Sequence, residues 1–74
     1  MITQALLESV PLITEGIPTE SLTEEQLRSV LAYELWKDGC DDFDHLEEVV
    51  LGTSVQFKNN KEYICYLKTV FGRE

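Results

Sequence analysis

The chain has 74 residues, 43% of them hydrophobic, and fourteen acids against six Lys and Arg give a net charge of −8. That length makes one small acidic domain, residues 1–74, with a core small enough that a partner or self-association would add to its stability. Direct nucleic-acid binding is disfavoured for want of clustered cations, and no apolar run is long enough to span a membrane.

The opening Met-Ile-Thr-Gln lacks the basic region of a secretory signal. Cys40 and Cys65 lack Cys-x-x-Cys spacing. The expectation is a complete cytoplasmic protein with free thiols. Charge is unevenly spread: residues 8–48 carry twelve acids against only Arg28 and Lys37, while residues 49–74 carry two acids against four cations. A negative body of this kind is complementary to a basic protein surface, and excess acid also serves solubility.

Residues 2–10 suit a short helix capped by Thr3, with Ile2, Leu6 and Val10 at four-residue steps and Leu7 beside them. Pro11 discourages continuation, so Leu12 and Ile13 are expected to pack as the chain turns. Thr14 to Ser21, punctuated by Gly16 and Pro18, reads as a connection.

The clearest helix follows, over residues 23–38, and the others are expected to pack around it. Thr23 and Gln26 make a capping box, Leu22 and Leu27 a hydrophobic staple, and Glu24 and Glu25 suit the positive end of the helix dipole. Lys37 and Gly39 are its stop signals. Leu27, Val30, Leu31 and Leu35 share one stripe, with Glu34 near its middle, where a carboxylate must reach the rim, find a partner or take up a proton. Tyr33 and Trp36 point the other way, beside Ser29 and Ala32. They are either a second covered face or the anchor of a partner-binding patch.

Asp41 or Asp42 can cap the next helix, which Gly52 can end, with Phe43, Leu46, Val50 and Val49 towards the core. The last segment has two readings. Asn60 can cap a helix through Phe71, placing Tyr63, Ile64, Leu67, Val70 and Phe71 on one stripe. Alternatively, residues 53–71 form a β-hairpin turning at Asn59-Asn60-Lys61, with Phe57 facing Tyr63 and Val55 facing Cys65. The preferred fold is all-α, a bundle of three to four short helices around helix 23–38; the alternative is α+β with that hairpin.

No constellation carries recognisable catalytic chemistry. The pairs Asp41/His45 and Asp44/Glu48 are spaced to share a helix face, but zinc needs three or four convergent ligands. The EF-hand pattern fails: counted from Asp42, position five is Leu46 and position twelve is Thr53. Nothing orients Cys40 towards His45, and Gly-rich phosphate loops are absent. The expectation is a protein that is not an enzyme and carries no metal or cofactor.

Glu20-Ser21-Leu22, followed by Leu27, Leu31 and Leu35, resembles the prosthetic-group region of acyl carrier proteins, with Glu20 where that family has Asp. The resemblance covers about fifteen residues, the same spacing that a capped amphipathic helix produces. It implies phosphopantetheine attachment at Ser21.

The favoured functional reading is a protein–protein interaction module, a small acidic inhibitor or adaptor docking on the basic surface of a larger protein. Tyr33 and Trp36 would form its apolar centre, and Glu34, Asp38, Asp41, Asp42, Asp44, Glu47 and Glu48 its rim. Ordered carboxylates could imitate nucleic-acid phosphates. The alternatives are a self-associating structural subunit, including a homodimer, and the acyl-carrier-like protein modified at Ser21.

Overall fold

Each helix begins at a side chain that satisfies its free first-turn amides. The computed structural model describes residues 2–53 and 57–73. Among these, four helices form and no strand: α1 (Gln4–Thr14), α2 (Glu24–Lys37), α3 (Phe43–Leu51) and α4 (Asn60–Phe71). The Thr3 hydroxyl accepts from Leu6 N at 3.2 Å, and the Asp42 carboxylate from His45 N at 3.2 Å. At α2 the capping box closes in both directions, Gln26 N donating to Thr23 Oγ1 at 3.2 Å and Thr23 N to Gln26 Oε1 at 3.0 Å.

The end of α2 is equally well specified. Gly39 N donates to Trp36 O at 3.1 Å and Cys40 N to Leu35 O at 3.0 Å, the bond pair of a Schellman turn. It requires the positive φ of 112° that Gly39 adopts.

Two sequence expectations are corrected. Pro11 does not end α1, which runs on to Thr14. Lacking an N–H, Pro11 cannot supply the rung that would end on Leu7 O. The extra turn is held instead by buried Val10 and Thr14 (8% and 3% exposed), with Thr14 Oγ1 donating to Val10 O at 2.9 Å. Leu12 and Ile13 therefore ride on a helix and stand exposed, at 75% and 60%, instead of packing in a turn.

The alternative hairpin of the last segment is the second; the preferred helix forms in its place. Residues 60–71 are helical, and Val55 lies outside the described residues. The cap is Asn59, one residue before the expected Asn60, its side chain accepting from Glu62 N at 3.0 Å. Phe57 does meet Tyr63, edge to face at 4.9 Å, and it also meets Tyr66 at 5.0 Å. Partners three residues apart are neighbours on a helix, whereas a strand would turn them to opposite faces.

The connection from α1 to α2 contains a single 3-10 turn, Thr19–Ser21, whose Thr19 is completely buried. Beyond it α1, α3 and α4 all pack on α2. The core joins Leu7 of α1, Leu27, Val30, Leu31 and Ala32 of α2, Leu46 and Val49 of α3, and Tyr63 and Leu67 of α4. Ala32, expected on the face away from the Leu stripe, is 0% exposed. The central helix is thus covered on more than one side.

Arg28 ties α2 to the end of α3. Its Nε donates to Val50 O at 3.2 Å, and its Nη1 pairs with Glu24 Oε1 at 3.2 Å. The guanidinium lies against Gly52, where an added Cβ would come within 3.2 Å of it. A cation there suits the negative end of the α3 dipole.

Leu46→Ala is expected to destabilise the fold by about 2–5 kcal/mol in a denaturant titration, because the side chain is fully buried in the core. Leu12→Ala, at a side chain 75% exposed, should stay within about 0.5 kcal/mol of the parent in the same denaturant titration.

Candidate functional site

The acids expected to form a rim concentrate where α2 hands over to α3. Asp38 is the C-cap of α2, and Asp42 is the N-cap of α3, held there by the amide of His45. Asp38, Asp41, Asp42 and Asp44 are all exposed, as is Glu48, while Glu34 and Glu47 are half-buried. Among the described residues, no cation lies within ion-pair distance of Asp38, Asp41, Asp42 or Asp44. Three of the six basic side chains are engaged elsewhere: Arg28 with Glu24, Lys68 with Glu20, and Lys37 Nζ over the Tyr33 ring at 5.9 Å. This corner is a concentration of unneutralised charge on fixed backbone.

Tyr33 and Trp36 lie together on the last turns of α2, tilted at 55° with ring centroids 6.1 Å apart. Both are half-buried and pack against the core, so each supports the fold and also shows part of a ring to solvent. Glu34, on the Leu side of α2, is only half-buried and so reaches the rim.

Among the described residues, no three His, Cys, Asp or Glu side chains come together as a metal site would require. Cys40 is half-buried and Cys65 exposed, and both are free thiols. His45 is half-buried. Ser21 is exposed in the 3-10 turn that leads into α2. No helix is long and apolar enough to cross a membrane among these residues.

One feature escaped the sequence reading. An open groove of about 480 Å³ runs between α1 and the first half of α2, floored by Leu7 and Val10 and flanked by Leu6, Ile13, Ser29 and Val50. Leu6 and Ile13 are 50% and 60% exposed along it. The available signal was a helical stripe Leu6–Val10–Ile13, which reading Pro11 as a stop concealed. At about 100° per residue, Gln26, Ser29, Tyr33 and Trp36 share a sector of α2 roughly 80° wide. The groove wall and the aromatic pair therefore belong to one face of the central helix.

Comparison with protein-family models, curated proteins and solved structures returns no match to this chain.

Among the described residues, one titratable group departs clearly from ordinary behaviour. Burial pushes the Tyr63 hydroxyl above its usual pKa of 10.0; Arg28 pulls it back and Glu24 adds to the rise. The folded state therefore holds this proton more tightly than the unfolded state. Its contribution to stability is complete below pH 10.0 and is lost as pH rises from there through the raised folded value. Thermal unfolding from about pH 8 to about pH 11.5 should show a steeper alkaline decline in the parent than in Tyr63→Phe, which lacks the ionisable proton. Parallel declines would contradict this assignment.

Proposed function

We propose that the chain is a non-enzymatic interaction module that docks on the basic surface of a larger protein, as a small inhibitor or adaptor. The observation that carries this reading is the corner formed by Asp38, Asp41, Asp42 and Asp44, exposed, without cation partners among the described residues and fixed by two helix ends. Carboxylates held on capped helix termini lose little conformational freedom on binding, and their field steers a positive partner towards them. Tyr33 and Trp36 supply the adjoining apolar surface, and Glu34, Glu47 and Glu48 extend the acidic rim. A row of fixed carboxylates can take the place of nucleic-acid phosphates on such a partner.

The exposure of Ser21 directly before α2 supports a second reading, a carrier protein modified at that hydroxyl. Intact mass of the protein isolated from its source cells separates the two: a phosphopantetheine increment on Ser21 favours the carrier, and an unmodified mass removes it.

The docking reading is tested by affinity capture from source-cell lysate, followed by binding kinetics with the protein captured. Replacing Asp41, Asp42 and Asp44 by Asn should slow association about tenfold at low salt and flatten the salt dependence. Asn remains a good N-cap at position 42, so α3 should persist in circular dichroism. Trp36→Ala should speed dissociation about tenfold, the effect of removing a partly desolvated aromatic anchor. Binding that is indifferent to salt and to both changes would discard the proposal.

A further inference from the structure

We infer that the groove between α1 and α2 receives an amphipathic helix of the partner, with an apolar seam and Lys or Arg at both ends. The inference rests on the docking reading above and identifies the partner element that the surface would take.

The groove is built for apolar contact. Three of its four hydroxyls donate within their own helix: Ser9 Oγ to Leu6 O at 2.6 Å, Thr14 Oγ1 to Val10 O at 2.9 Å, and Ser29 Oγ to Glu25 O at 3.0 Å. The fourth, Thr23 Oγ1, accepts from Gln26 N at 3.2 Å as the cap of α2, so an apolar ligand strands none of the three bonded protons. Leu6 and Ile13 stand seven residues apart on α1, about 10 Å at 1.5 Å per residue, with Val10 between them on the groove side. That ridge matches side chains at i, i+3 or i+4, and i+7 on a helix laid alongside it.

Charge selects among occupants. Ile2 lines this groove and also a smaller neighbouring one that includes Phe43 and Asp44. Glu25 lines the larger groove and Asp44 the smaller, and neither is lined by Lys or Arg. A second copy of the chain would bring another net charge of −8 to the same acidic rim. A helix with cations flanking its seam meets Glu25 and Asp44 with the opposite sign. Asp44 thereby belongs both to the α2–α3 corner and to the smaller groove, which shares Ile2 with the larger one.

The probe is a synthetic helical peptide with Leu at i, i+3, i+7 and i+10, Lys at both ends and Ser or Ala elsewhere. Its control has the same composition with the seam scrambled. Titrated into the full chain, the seam peptide should shift the amide resonances of Leu6, Val10, Ile13 and Ser29 and bind at least tenfold tighter than the scrambled one. Leu6→Glu and Ile13→Glu, both at exposed positions, should each weaken it at least tenfold. Leu51→Glu, at a side chain 64% exposed and outside the groove, should not. Circular dichroism confirms that the variants remain helical.

Equal binding of the two peptides, weakened by salt, would overturn the groove and leave the acidic docking surface standing. Absence of binding by either peptide at low salt would remove both. A concentration-dependent dimer of the parent chain, abolished by Leu6→Glu in sedimentation, would assign the groove to a second copy and overturn the inference.

Discussion

The structure depends on how completely α2 is enclosed over its first half. Leu27, Val30, Leu31 and Ala32 are 0–2% exposed, and these four positions span more than one side of the helix. Among the described residues, α1, α3 and α4 each make their main helix–helix contact with α2. Ala32, 0% exposed, lies about 100° round the helix from Leu31, so the covered surface extends beyond the Leu stripe. Towards its C-terminus the enclosure loosens. Tyr33, Glu34, Leu35 and Trp36 are all half-buried, and this is the end that delivers the chain to the acidic corner.

Charge follows the same division. The cations of the body serve internal ends: Arg28 closes α2 onto α3 through Val50 O and Glu24, and Lys37 lies over Tyr33. Glu20 takes its partner from α4, in Lys68. Each of these removes one positive charge from the set able to neutralise Asp38, Asp41, Asp42 and Asp44. The body is negative by composition, and the two cations of residues 8–48, Arg28 and Lys37, are engaged away from this corner. Such a distribution affects association with a charged partner more than it affects the fold.

Pro11 shows why part of the candidate surface was hidden in the sequence. A proline inside a helix removes one rung and crowds the preceding turn, and the local rule places a helix end there. Here the burial of Val10 and Thr14 against the body outweighs that cost, and α1 gains another turn. The consequence reaches the surface: Leu12 and Ile13, assigned to a packed turn on local grounds, become outward positions on a helix, and Ile13 lines a groove with Leu6. The last segment carried a similar ambiguity. Tyr63, Ile64, Cys65, Thr69 and Val70 favour strands intrinsically, yet the Asn59 cap and the burial of Tyr63 and Leu67 select the helical period.

The sequence by itself determined what short-range chemistry can specify. Caps at Thr3, Thr23 and Asp42, the stop at Gly39, the Leu stripe of α2 and the segregation of charge are all written within a few residues of where they act, and the first three helices follow from them. Only the tertiary structure decided whether α1 passes Pro11, that Phe57 folds back onto Tyr63 and Tyr66, that Arg28 closes the end of α3, and that a groove opens between α1 and α2. Each of these is set by burial against a residue distant in the chain, and local preferences of a kcal/mol or so yield to packing contacts worth several.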